Sequence, residues 1–145
     1  MANVIYRGPS NAQPETVSNK TVAGAYLPGI LVTEGADTLT VATAANIEAD
    51  LLILGNAGFA GQDIETAYTA GSTGVAYRTR PGENYQVRLA AATYAKGDAL
   101  TIGASGYLTS AAAGERVVAF FDGEAGAITA GALQDVRIAN SFNRA

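Results

Sequence analysis

The chain has 145 residues, a formal net charge of −4 at pH 7, and no cysteine or histidine. A chain of this length forms one domain with a sizeable core and needs neither metal nor disulfides to fold. Lacking cysteine and histidine, it has no thiolate nucleophile, imidazole base or usual zinc ligand. Its negative charge argues against a nucleic-acid partner. We therefore expect no enzyme, no cofactor and no metal.

Residues 1–25 are predicted to form an extended N-terminal arm. Pro9 and Pro14 lie here, polar side chains dilute the apolar ones, and neither a strand nor a helix periodicity is sustained. Such a segment stays loose or lies on another surface. We place the domain boundary at its end, so that residues 26–145 form one β domain.

From residue 26 onward, short apolar or alternating runs between glycine-rich breaks predict strands. Residues 51–54 are continuously apolar, which is typical of a strand buried on both faces. Residues 43–49 and 63–70 are weak helix candidates, too short to stand without packing. The predicted strands cover 30–33, 38–42, 50–54, 75–80, 85–89, 99–102, 107–109, 117–121 and 136–139. The pattern favours a mainly-β fold, a compact single-domain β-barrel or jelly-roll-like sandwich.

A turn sequence at 81–84 separates two predicted strands and predicts a β-hairpin. On this hairpin Arg78 and Arg80 share one strand face, and Arg88 lies across from them. The planar guanidinium group suits interfacial carboxylates. Two interpretations remain open here, a solvated outer strand and a protein contact site.

Phe120 and Phe121 are adjacent in a predicted strand, so their side chains point to opposite faces. One of the two enters the core. The other meets a second layer of the fold or a partner subunit, which is an argument for oligomerisation.

Three further patterns favour connections over chemistry. The glycine spacing at 55–61 departs from a dinucleotide fingerprint, and no histidine exists to activate Ser105. Asp63 and Glu65 are placed to share one face of an extended segment, where paired carboxylates serve hydrolysis or bind Ca²⁺. Without tryptophan and with so short a chain, we favour solvated turn acids.

No run of about 18 apolar residues is present, so we expect no membrane partner. The first residues lack the basic and apolar regions of a signal peptide. We therefore expect synthesis in the cytoplasm, and residence there or in a particle that assembles there.

Four segments carry a family resemblance: the polar arm leading into 25–32, the turn-and-strand patterns of 96–108 and 116–122, and the closing 135–140. Together they resemble the small head decoration, or cement, proteins of tailed bacteriophages. The resemblance implies a structural virion protein on the outer capsid surface. Its implied partners are the major capsid protein and further copies of itself, as a dimer or trimer.

On that expectation, the arm adds an extended segment to an exposed strand edge of the shell. Arginines of the predicted hairpin supply further contacts. The candidate capsid-contact residues are Val4, Ile5, Tyr6, Arg7, Arg78, Arg80 and Arg88.

Two other function classes remain open. A tail-associated or surface-associated β-module that binds a host glycan would expose an aromatic cluster, with Tyr68, Tyr77 or Tyr94 as candidates. A small carboxylate-based hydrolase would need two acids close together in a cleft.

Overall fold

The computed structural model describes residues 4–43 and 49–144. Nearly all of the regular structure in these residues is β. The strands are β1 (Tyr6–Gly8), β2 (Glu15–Val22), β3 (Leu31–Glu34), β4 (Thr38–Val41), β5 (Leu51–Leu54), β6 (Thr73–Arg78), β7 (Asn84–Leu89), β8 (Ala92–Tyr94), β9 (Ala99–Ile102), β10 (Leu108–Ser110), β11 (Arg116–Phe121), β12 (Gly126–Ile128) and β13 (Ala132–Asn143). The prediction of a mainly-β fold is confirmed.

The two helix candidates have different outcomes. Residues 63–70 form turns and irregular backbone, so the helix candidate there does not form. Most of the candidate at 43–49 lies outside the described residues. Two three-residue 3-10 turns, Gly58–Ala60 and Ala104–Gly106, are the helical elements of the described residues.

The first half of the chain forms a closed barrel in the order β2-β4-β3-β5-β6. Its neighbours pair antiparallel except β2 and β4, which run parallel. Aliphatic side chains and one tyrosine fill its core, namely Val17, Val22, Ile30, Val32, Leu39, Leu52, Leu54, Ala57, Tyr68 and Ala76.

The second half, joined by the N-terminal strand β1, forms a six-stranded sheet in the order β1-β7-β10-β9-β11-β13. Residues 132–137 of β13 also pair with β7, so β7, β10, β9, β11 and β13 form a closed ring of pairings. Strands β8 and β12 form a separate two-stranded ribbon. Larger side chains fill the core of this second sheet, among them Tyr85, Leu89, Tyr94, Leu100, Ile102, Phe121 and Val136.

Strand β5 serves both halves. Leu52 and Leu54 point into the barrel, whereas Leu51 and Ile53 pack into the core of the second sheet. All four side chains are buried, and each contributes about 1.5–3 kcal/mol to stability. The prediction of a strand buried on both faces is confirmed.

The hairpin predicted around 81–84 is wrong. β6 pairs with β2 and β5 inside the barrel, whereas β7 pairs with β1, β10 and β13. The turn itself forms, with the Glu83 amide donating to the Arg80 carbonyl oxygen at 3.2 Å. A turn sequence fixes only the local reversal of the chain, so here it carries the chain from the barrel to the second sheet.

The segment predicted as an arm is part of the folded body. β2 closes the barrel and contributes Val17 and Val22 to its core, and Ile5 is buried against the second sheet. The predicted boundary after residue 25 therefore separates β2 from its barrel partners. The segment is polar because most other side chains of β2 face solvent.

Candidate interaction surfaces

Arg78 and Arg80 lie outside the barrel, where two glutamates contact them. The Nη2 group of Arg78 donates to both carboxylate oxygens of Glu34, at 2.7 and 2.9 Å, and its Nε lies 3.3 Å from Glu15. The hydrogen bond to Glu34 raises the pKa of Arg78. Arg80 is more exposed and lies 3.5 Å from the second Glu15 oxygen. Of the two arginines, Arg80 is the more accessible to a partner.

Arg88 lies inside the molecule, with 4% of its surface exposed. Its guanidinium donates to three backbone carbonyl oxygens, of Pro28 at 2.7 Å, Gly131 at 2.8 Å and Ile64 at 2.6 Å. The Glu65 carboxylate lies 3.6 Å away at the rim. These contacts tie β7 to two connections of the barrel, so Arg88 does not present the surface contact expected of it.

The candidate contacts at 4–7 are divided between surface and interior. Val4 is exposed, whereas Ile5 is buried in the core. Tyr6 lies in β1, whose backbone pairs with β7, and the Arg7 Nε lies 3.7 Å from Asp135. In this conformation one side of the segment is already paired, and Val4, Arg7 and the open edge of β1 face outward.

Three tyrosines and a glutamate occupy the junction between the two halves. The Tyr85 ring centroid lies 5.3 Å from that of Tyr6 and 5.8 Å from that of Tyr77. The Tyr85 hydroxyl donates to the Glu83 carboxylate at 2.9 Å. Burial raises the pKa of Tyr85 and of Tyr77, so both phenols are neutral at physiological pH.

Phe120 and Phe121 lie on opposite faces of β11. Phe121 is buried in the core, where its ring stacks on Tyr94 at a centroid distance of 5.5 Å. Phe120 is half-buried, and its ring lies 6.1 Å from that of Phe142 on β13. The outward phenylalanine is therefore covered in part by the same chain.

The tyrosines considered for glycan binding are not exposed. Tyr68 and Tyr94 are buried and Tyr77 is half-buried. The Tyr68 hydroxyl donates to the Gly55 carbonyl oxygen at 2.7 Å and accepts from the Val75 amide at 3.2 Å. These three rings pack the interior and form no open stacking platform.

Asp63 and Glu65 form a turn. One Asp63 oxygen accepts from the Glu65 amide at 2.9 Å and from the Thr66 hydroxyl at 2.8 Å. The Thr66 hydrogen bond, with help from the Glu65 amide, lowers the pKa of Asp63. Within residues 4–43 and 49–144, no three carboxylates cluster closely enough to hold a metal ion. The same residues include no helix long and apolar enough to span a membrane.

The connection between β5 and β6 exposes a large apolar side chain that sequence reasoning missed. Phe59 lies in the 3-10 turn Gly58–Ala60 with 82% of its surface exposed. A groove of about 520 Å³ lies beside it. We call Phe59 and this groove the loop patch. The signal in the sequence is a phenylalanine flanked by glycine and alanine, outside any predicted strand.

No family model matches this sequence, and no curated protein matches it. Among solved structures, the fold is similar to the crystal structure of the N base of head fiber gp8.5 in bacteriophage phi29, with a TM-score of 0.60 and 14% sequence identity. The match covers 92% of this chain and 100% of that chain. At this identity the similarity establishes a shared β fold.

Proposed function

We propose that this protein is a structural component of a phage virion, which binds the outer capsid surface and stabilises contacts between major capsid protein subunits. One observation carries the proposal. Over 92% of its length the chain shares its fold with the base of a phage head fiber. The resemblance of the sequence to head decoration proteins supports the same role.

The fold is suited to a rigid support between capsid subunits. The barrel strands close on themselves, and five of the six strands of the second sheet form a ring of pairings. β5 is shared between both cores, and Arg88 of β7 links them by hydrogen bonds to two connections of the barrel, at Pro28 and Ile64. Such a body resists deformation, as a protein that transmits load between neighbouring subunits requires. We propose that it acts without catalysis.

Of the residues first considered for capsid contact, exposure favours Val4, Arg7 and Arg80. Ile5 and Arg88 are buried, and we assign them to the core. Individually weak contacts of this kind become strong on a shell, because a protein held at several lattice sites gains from its high effective concentration.

The test is to mix the purified protein with undecorated capsids of the phage that encodes it, followed by co-sedimentation and imaging. We expect saturable decoration at physiological salt and a higher disruption temperature of the shells. Failure to bind any shell under these conditions would contradict the proposal.

Substitutions at the exposed residues locate the contact. Arg80→Ala and Val4→Ser should weaken shell binding without lowering the urea midpoint, and Arg137→Ala on the exposed face of β13 is the matched control. Deletion of residues 1–20 is not a clean test, because it removes β1 and most of β2.

A further inference from the structure

We propose that the loop patch binds a second copy of this chain. Phe59 projects from the connection between β5 and β6, and the groove of about 520 Å³ lies directly beside it. A projecting ring next to a groove is self-complementary, because rotation about an axis through the patch brings the ring of one copy over the groove of the next. This inference does not depend on capsid binding.

The patch is built to hold its shape. The Gln62 side chain accepts from the Ala57 amide and donates to the Thr66 carbonyl oxygen, both at 2.8 Å. The Asn56 side chain donates to the Gln62 carbonyl oxygen at 2.8 Å. Gly61 ends the 3-10 turn at a φ of 80°, in the left-handed region that glycine favours. Phe59 is thus presented on a loop that loses little conformational entropy on binding.

Charge favours a copy of the same chain as the occupant. Each copy carries a net charge of −4, and near a rotation axis every residue faces its own counterparts. A charged residue there would meet a like charge. The eleven residues that line the groove include no aspartate, glutamate, lysine or arginine. The nearest acids along the loop lie outside this lining, Asp63 in its own turn and Glu65 beside Arg88.

The side chain of Phe59 has the character of an interface anchor. Large aromatic side chains that enter a partner's groove carry most of the binding energy of small interfaces. On the isolated chain this ring contributes nothing to the core, because only 18% of its surface is covered when 82% is exposed. Replacing it should therefore affect association and leave folding intact.

The experiment is sedimentation velocity on the full chain from about 1 to about 500 μM, a range that covers weak association. We expect the wild-type protein to form dimers or trimers with rising concentration. Phe59→Ser should weaken association at least about thirtyfold, as expected for loss of an anchor residue. Phe142→Ser, at a ring 49% exposed but remote in sequence from the loop, is the control and should associate as wild type does.

Two further measurements distinguish association through the loop patch from association through charged contacts or through another face. Because the patch has no charge, association should change little between about 0.05 and about 0.5 M NaCl, over which exposed ion pairs are screened. Because the chain has no cysteine, Ala60→Cys provides a single thiol in the groove lining, and a bismaleimide should cross-link it between copies. Ala112→Cys, exposed after β10, should cross-link far less.

Three results would overturn the proposal. The first is a wild-type chain that stays monomeric throughout the concentration range. The second is an oligomer that Phe59→Ser leaves intact, which would assign association to another face. The third is a monomer whose Phe59→Ser variant loses shell binding, which would assign the patch to the capsid protein. A circular dichroism spectrum and a urea midpoint equal to those of wild type show that the variants fold.

Discussion

The barrel and the second sheet each enclose a buried core, but different types of residue fill the two cores. The barrel core is aliphatic apart from Tyr68, whereas the second sheet builds its core on Tyr85, Tyr94 and Phe121. The barrel is completed by β2, whose exposed side chains are mostly polar. The second sheet is completed by β13, which pairs with both β7 and β11. Closure therefore does not require strongly apolar strands, provided that a few inward side chains reach the core.

The junction between the two halves is where they depend on each other. The side chains of Leu51 and Ile53 point away from the barrel core and pack into the core of the second sheet. The ring of Tyr77 on β6 lies next to that of Tyr85 on β7. Arg88 of β7 adds two hydrogen bonds across this junction, to the carbonyl oxygens of Pro28 and Ile64, and a third to Gly131 beside β13. We therefore expect damage at the junction to cost more stability than damage to either core alone.

Arg88→Met should have the largest effect. Three carbonyl oxygens lose their buried donor, and each unsatisfied group costs about 1–3 kcal/mol, so we expect a loss of about 4 kcal/mol or more. Urea unfolding followed by circular dichroism measures this loss. Two separate transitions in place of one would show that the halves had uncoupled.

The control for that experiment is Arg137→Met, whose side chain is exposed on β13, and it should stay near the wild-type midpoint. Arg88→Lys keeps the charge but loses the planar fork, so it should fall between the two. If Arg88→Met unfolds at the same urea concentration as wild type, the buried hydrogen bonds do not couple the halves.

Leu52→Ala and Ile53→Ala provide a matched pair on one strand. Each removes a buried aliphatic side chain at a cost of about 2–5 kcal/mol. Leu52 faces the barrel core, so its loss should speed amide hydrogen exchange mainly in β2 to β6. Ile53 faces the second core, so its loss should also speed exchange in β7 to β13. Identical exchange patterns for the two variants would contradict the assignment of one face to each core.

Alkaline pH should destabilise the junction through Tyr85. Burial, the hydrogen bond to Glu83 and the nearby Glu83 charge raise its folded-state pKa above the ordinary value of 10.0. The unfolded chain therefore releases this proton first, so the contribution is complete below pH 10 and is lost as pH rises further. We expect a loss of about 1.4 kcal/mol per pH unit from this one group.

The measurement is a series of urea midpoints from pH 8 to pH 11.5, with phenolate absorbance recorded in parallel. Tyr85→Phe should show a shallower decline above pH 10 than wild type, since it lacks the titrating hydroxyl. An equal slope in both proteins would show that Tyr85 does not contribute to the alkaline loss.

The smallest effect is expected on the barrel surface. Glu34→Gln removes one charge from the pair with Arg78, which is partly exposed, so the melting temperature should fall by no more than about 3 °C. Glu124→Gln, on an exposed turn, is the control. The difference between the two should vanish in about 1 M salt, and a difference that persists would indicate a stronger, shielded interaction.

Much of the strand pattern could be read from the sequence. Each of the nine predicted strands corresponds to an observed one, from β3 to β13, because apolar alternation records which side chains face a core. β1 and β2 were missed because they lie in a polar segment that sustains no alternation, and β8 and β12 because their three residues lie among alanines and glycines that leave little pattern. Pairing across the chain was beyond local reasoning, so the turn at 81–84 suggested a hairpin that does not form.

The surface was harder to predict than the fold. Alternation correctly assigns Arg88 to the face opposite Tyr85, but it does not reveal that the connections at 28, 64 and 131 cover that face. Phe59 belongs to no strand, so periodicity carries no information about it. Both depend on how separate connections fold over the strands, which a single sequence does not encode locally.

The closed strand pairing in both halves affects how the protein behaves at high concentration. Among the described strands, β1, β8 and β12 pair on one side only, and each has just three residues. Longer open sides remain on β13 beyond Ile138 and on residues 15–20 of β2, where most side chains are polar or charged. Short edges are poor templates for the runaway strand-to-strand polymerisation that leads to fibrils. Molecules of this design can be packed side by side at very high density and still remain discrete particles.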